Sequence, residues 1–403
     1  MRFDSIFINK KNIIFILFLL ISLFLLIEPV VFVFTELHTL FRIGQVIVIF
    51  ICIFLFFVKK CDFKFLILTL IFFFYQIIVT LLNDGAIVKV VTTMIPVVGM
   101  VLLLQYAIER NYFLTIKALY MYFSIIVYIN YLLMIIYPEG ILQATKYRTQ
   151  DVGYNFLSVN NQLGSYLLIA ALISILYCIL KKKVTLNAVF LNIVVYMTLL
   201  NVWSVTSIIW LTFFYGFYFL MSRKNKVLKW KKYFSFMLLA HILIVVLEIQ
   251  KIFSFLIVDF FEKDITLSGR TRIWELAIQE IKKTFIFGYG EIQDARYITI
   301  GTAEFNAHNI FLQVMLQGGF ILLMLFLMLM IYSLNKTALS QNNKIASILI
   351  ISVITLWGMM ITEVYSILLQ LLVLFLVYNC KKFIVAERIP NINRVMYVEN
   401  KSY

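Results

Sequence analysis

Charge is what this chain has least of. Asp, Glu, Lys and Arg make up 14% of its 403 residues, whereas an ordinary soluble domain carries about a quarter. That shortage, beside a hydrophobic share of 63% and a mean hydropathy of +0.98, excludes a soluble globular protein. Histidine is rarer still, with three copies, and the four cysteines have neither metal nor redox spacing. A disulfide framework is therefore not expected, and nothing calls for a metal or a cofactor. Internal repeats are also missing, and with them the symmetry signature of many transporters.

What is present is a series of apolar runs near 20 residues, the length that crosses about 30 Å of hydrocarbon. They do not alternate polar with apolar residues, which excludes a membrane barrel. The expected fold is all-α: a polytopic membrane bundle of about twelve transmembrane helices forming one integral domain over 1–403. Spans are expected near 12–34, 43–58, 63–82, 86–107, 116–137, 163–180, 184–202, 205–221, 233–250, 310–333, 345–361 and 365–379. The first run follows Lys10 and Lys11 but is too long for a signal h-region and lacks a small-residue cleavage site.

A net charge of +15 invites a nucleic-acid reading, yet the basic residues alternate from loop to loop. With the N-terminus inside, most Lys and Arg fall in connections such as KKCDFK, KKK and SRKNKVLKWKK, as the positive-inside rule requires. Nucleic acid is thereby excluded as a partner. Both termini, including a tail over 380–403, are expected in the cytoplasm. Two long loops, 138–162 and 251–308, fall outside.

The larger loop contains SGRTRIWELAIQEIKKTFIFGYG, which reads as an amphipathic helix. Ser268 is its expected N-cap; Ile273, Trp274, Ala277, Ile278 and Ile281 form its stripe; Gly288 and Gly290 end it. Arg270 and Arg272 stand at its start, where cations oppose the helix dipole. That is poor for helix stability and suited to gripping an anion, since guanidinium forks match phosphate oxygens. Pairing with Glu275 or Asp264 is the plainer alternative. Arg148, in the other loop, is a candidate of the same kind. Asn160 and Asn161, just before the sixth span, either cap the next helix or bind sugar.

Within the spans, Lys89 reads as a side chain snorkelling to the outer interface. His241 and Glu248 lie two turns apart and could relay protons. His308, followed by Asn309 at the start of the tenth span, shares its membrane face with Arg148, Arg270 and Arg272. Alone it would be a helix-start polar group. Beside phosphate-binding arginines, an imidazole suggests transfer from an anionic lipid carrier.

Gly269, Arg270, Trp274, Gly288, Gly290, His308, Asn309 and Gly319 follow one another in this order. In that order the chain resembles the O-antigen polymerase and ligase superfamily, best over residues 268–320. The resemblance implies bacterial enzymes of the cytoplasmic membrane that act on undecaprenyl-diphosphate-linked glycans at its outer face. It also implies metal-independent glycosyl transfer, with membrane lipids and other polysaccharide-assembly proteins as partners. Arg270 would bind diphosphate, His308 would act as base or orienting group, and Asn309 would support it. Many members carry Ser-Arg-Gly after the seventh span, whereas here Ser204, Val205, Thr206 and Ser207 include no arginine. A second diphosphate contact would fall to Arg148 or Arg272. The expected activity is polysaccharide polymerisation, for a capsule, exopolysaccharide or O-antigen; a ligase or a lipid-linked oligosaccharide flippase is the alternative.

Overall fold

The computed structural model describes residues 10–143, 153–224, 229–245, 247–249, 269–301, 303–338 and 343–388. These form fourteen helices and four short strands. The first helices are α1 (Lys10–Leu26), α2 (Val30–Val33), α3 (Leu37–Lys59), α4 (Lys64–Leu82) and α5 (Ile87–Ile136). A hairpin of β1 (Leu142–Gln143) and β2 (Gly153–Tyr154) leads to α6 (Leu163–Lys181), α7 (Leu186–Val202), α8 (Val205–Lys224) and α9 (Trp230–Val245). Then come α10 (Arg270–Lys283), a hairpin of β3 (Ile298–Ile300) and β4 (Ala303–Phe305), α11 (Ile310–Asn335), α12 (Lys344–Met359), α13 (Ile367–Tyr378) and α14 (Cys380–Arg388).

Among the described residues, five helices are long and apolar enough to cross a membrane: α3, α4, α5, α6 with its preceding turn, and α11. Helices α7, α8, α12 and α13 are shorter and apolar. By these helices the chain is a multi-pass membrane protein. Side-chain exposure agrees with that assignment. On α3, Phe41, Val48, Cys52 and Phe56 are buried, while Ile47, Phe50, Phe54 and Phe57 are exposed on the other face. A helix apolar all round, with one face open, presents that face to lipid. Helices α12 and α13 are buried all round and form the centre of the bundle with α6.

Three departures from the expected spans have local causes. The first helix ends at Leu26 instead of running to 34, because Pro29 lacks a backbone donor and pushes Glu28 out of the helical region. The fourth and fifth spans form one helix of 50 residues, interrupted at Asn111 (φ −159°, ψ 94°). Fifty residues at about 1.5 Å each would be more than twice the hydrocarbon thickness, so the break at Asn111 divides the helix into two spans. Asn111 starts the second half by accepting the Leu114 N–H at 3.0 Å. Two spans are thus joined by one capping residue.

The third departure is in α11, which breaks at Gly318 and Gly319 (φ 64°, ψ −164°). Amphipathic α10 buries Ile273, Trp274, Ala277 and Ile281, with Ile278 half-buried, as its stripe predicts. It ends at Lys283, five residues before Gly288, and the chain then dips into the broken turn of α11. The Phe320 N–H donates to the Phe285 carbonyl (2.8 Å) and the Tyr289 N–H to the Leu316 carbonyl (2.8 Å). The Tyr75 hydroxyl donates to the Gly318 carbonyl at 3.0 Å. Irregular backbone at membrane depth persists only when its polar groups are paired within the protein, and these bonds provide that. Gly288 and Gly290 are therefore contact residues and not the helix stop: a Cβ on Gly288 would sit 2.5 Å from the Gly319 nitrogen, and one on Gly290 2.7 Å from the Thr80 Cα.

Hydrogen bonds also sort the helix ends. One end gathers residues after α4, α12 and α10; there the Ala86 N–H donates to the Glu291 carbonyl and the Ile310 N–H to the Met360 carbonyl. The other end ties α4, α5 and α13 through a polar network. Tyr378 donates its hydroxyl to Asp62, the Asp62 N–H donates to Glu109 (3.0 Å), and Lys382 reaches Glu109 at 3.2 Å. Burial pushes the Asp62 carboxyl up, but hydrogen bonds from Tyr378 and the Lys64 N–H bring it net below its ordinary value. Glu109 is likewise lowered net of its burial, by the Asp62 N–H and by Lys382. Depressed carboxyls stabilise fully above the unfolded value of about 4, and that contribution is lost as pH falls through the folded values. Thermal unfolding in detergent should accordingly fall between pH 7 and pH 3, and Tyr378→Phe should narrow the difference. The four cysteines are free thiols.

Candidate active site

The hairpin β3–β4 pairs Ile298 with Phe305 and delivers the chain to His308 at the mouth of α11. His308 has a positive φ of 45°, and its N–H donates to the Asn306 side chain at 2.9 Å. Asn309 is the N-cap of α11: its Oδ1 accepts the Phe311 and Leu312 N–H groups at 3.0 and 3.1 Å. Its Nδ2 donates to the Ile361 carbonyl at 2.9 Å, tying α11 to the segment after α12. Asn309 is buried and its oxygen fully engaged in the cap, so its side chain fixes the start of α11 directly after His308. Asn309→Ala should lower stability by about 1–2 kcal/mol, read as a drop in unfolding temperature. Asn309→Asp, which keeps the cap, should lose less.

The segment that Asn309 holds carries Glu363, the residue around which the site is organised. Arg270 donates a hydrogen bond to Glu363 Oε1 as an ion pair. His308 Nδ1 lies 3.6 Å from Glu363 Oε2. That is ion-pair range and a few tenths of an ångström beyond a hydrogen bond, and Nδ1 makes no hydrogen bond among the described residues. The side chains of Arg270, His308 and Glu363 are 14%, 20% and 8% exposed, so the cluster is largely withdrawn from solvent. One carboxylate therefore faces a guanidinium with one oxygen and an imidazole with the other.

The wall beside Glu363 is the turn between α7 and α8. Thr362 donates its hydroxyl to Thr206 (3.2 Å), and Ser207 meets the Tyr365 hydroxyl at 3.4 Å. The position where a Ser-Arg-Gly was sought thus borders the site, but supplies only hydroxyls. Gly164 completes the wall, since a Cβ there would lie 2.3 Å from the Ser207 hydroxyl. Asn160 and Asn161 are exposed in the turn ahead of Gly164, and Asn160 accepts from Asn155 at 2.6 Å.

Arg270 and His308 are thus brought together, with a partner that was not foreseen. Arg270 pairs with Glu363 and not with Glu275. Arg272 is two residues further along α10, on the exposed face, and is not brought to Glu363. Arg148, Ser268 and Asp264 lie outside the described residues. Gly269, with φ 80°, occupies the N-cap position of α10. His241 is packed between Phe311 and Trp357, 4.5 and 5.6 Å from their centroids, and among the described residues hydrogen-bonds only with the Met237 carbonyl. Lys89 does not simply snorkel: it pairs with Glu291 at 2.8 Å. The one sequence signal for Glu363 was its place, an acidic residue in a short turn on the side assigned to His308.

One end of the membrane bundle thus joins an arginine, a carboxylate and a histidine in one largely buried cluster. Residues 192–327 match the family model described as O-antigen ligase. Over that stretch, 136 of 403 residues, the chain carries a domain of this family of glycosyl-transferring enzymes. The match contains Arg270 and His308 and ends before Glu363. No curated protein matches the chain.

Proposed function

We propose that the protein is a polysaccharide polymerase. It joins undecaprenyl-diphosphate-linked oligosaccharide repeat units at the outer face of a bacterial cytoplasmic membrane, spans that membrane twelve times, and keeps both termini inside. The observation that carries the proposal is the Arg270–Glu363–His308 cluster at one end of the bundle. Without substrate, Glu363 supplies the anion that Arg270 is suited to hold. A carrier diphosphate carries more charge and more acceptor oxygens, and displaces the carboxylate from the guanidinium. Glu363 then accepts the Nδ1–H of His308, which leaves Nε2 as the free base for the acceptor hydroxyl, an orientation logic shared with carboxylate–histidine pairs generally. The base takes the hydroxyl proton as the new glycosidic bond forms, and the carrier leaves as its diphosphate with Arg270 stabilising the developing charge.

The second reading, a ligase that moves finished glycan to another acceptor, is favoured by the name of the matched family. Deleting the gene separates the two. Loss of long chains on the lipid carrier supports a polymerase. Long chains retained on the carrier but absent from their acceptor would instead establish a ligase.

A further inference from the structure

Beside the cluster, and lined by its sequence neighbours instead of by Arg270, His308 or Glu363 themselves, is a cavity of about 190 Å³. It opens between α4, α5, α11 and α13. Asn306 and Ile310, which bracket His308, line it, as do Val364 and Tyr365, which follow Glu363. Its floor is an ion pair held by amides. Lys89 donates to Glu291 Oε1 at 2.8 Å, and Gln76 and Gln317 donate to Oε2 at 3.1 and 2.7 Å. Glu291 is 4% exposed, and this arrangement neutralises it without any contact from the Arg270 cluster. Gln76 stands six residues inside the end of α4 and Gln317 seven residues inside α11, so the cavity reaches about 10 Å into the bundle.

Donating their amide nitrogens to Glu291 leaves the carbonyl oxygens of Gln76 and Gln317 without a partner among the described residues. Gln370, also lining the cavity and 2% exposed, spends its nitrogen on the Tyr365 carbonyl and keeps Oε1 unpartnered among the described residues. A buried acceptor without a partner, as Gln370 Oε1 is among the described residues, is costly in a membrane bundle and marks a substrate path. A net-neutral floor with spare acceptors, beside Phe72 and Phe73, does not suit a phosphate. It suits the hydroxyls of an uncharged sugar. The volume is below the roughly 300–1,000 Å³ of drug-sized pockets and fits one ring, not an oligosaccharide.

We infer that this cavity is the subsite for the acceptor's terminal sugar, whose hydroxyl it presents to His308, with Gln76, Gln317 and Gln370 as its recognition groups. This rests on the proposed function, since it assigns one of the two substrates of that transfer. The probe is the repeat-unit oligosaccharide, freed of lipid and diphosphate by mild acid, titrated against the full-length protein in nanodiscs. Wild type is expected to bind it, Gln76→Leu and Gln317→Leu to weaken binding about tenfold each, and Thr93→Phe, which fills the cavity from its α5 wall, to abolish binding. Unchanged affinity in Thr93→Phe would overturn the inference, as would absence of binding by wild type that still transfers lipid-linked glycan. Binding that obeys the variants, in a protein that transfers no lipid-linked glycan, would leave this subsite standing and overturn the proposed function.

Discussion

Arg270→Ala is expected to abolish polymer and to destabilise the protein as well. On the proposed function, the activity loss follows from removing the fork that holds the diphosphate beside His308, an effect of about 10²–10³ for one such group. The stability loss follows from burial. Glu363 is 8% exposed and would be left with His308 alone, and breaking a buried ion pair costs about 3 kcal/mol or more. The double variant Arg270→Ala/Glu363→Gln should regain most of the unfolding temperature and none of the activity. Recovery of activity in the double variant would show that Arg270 serves only to neutralise Glu363. Arg270→Lys should remain poor, because a point charge cannot replace a bidentate fork.

Gly319→Val should be the most damaging single change far from the site. The backbone at Gly319 (φ 64°, ψ −164°) lies in a region open essentially to glycine alone, worth about 1–3 kcal/mol of strain for any other residue. A Cβ there would also fall 2.2 Å from the Ile286 carbonyl oxygen and 2.5 Å from the Phe287 nitrogen. Those are backbone atoms bonded to the broken turn and cannot rotate aside. The expected result is little folded protein in detergent, or an unfolding temperature many degrees lower. Gly216→Ala in α8, where a Cβ meets nothing within 4 Å, is the matched control and should be neutral. Wild-type behaviour of Gly319→Val would mean that the 285–289 segment does not sit in the break.

Much of the bundle was legible because hydropathy and the alternation of basic loops depend only on local composition. The stripe of α10 was legible for the same reason. The Asn111 junction announced itself through Glu109 and Arg110. What could not be read locally were pairings across the chain. Glu363 is 93 residues from Arg270 and 55 from His308, in a two-residue polar turn with no pattern of its own. Glu291 meets Lys89 from the far side of five helices, α6 to α10, among the described residues. The break in α11 was hidden because Gly318 and Gly319 sit in a run that, Gln313 and Gln317 apart, is apolar to Ile331, and nothing local says that Phe285–Tyr289 will fill it. Ion pairs and backbone docking are tertiary facts, and in a chain this poor in charge each one defines a place.

Purified protein in liposomes, given the lipid-linked glycan extracted from a strain lacking the gene, tests the central claim most directly. Wild type should lengthen the glycan on its carrier without added metal, and His308→Ala, folded and inserted, should do no more than empty vesicles. Lengthening by His308→Ala at the wild-type rate would contradict the account.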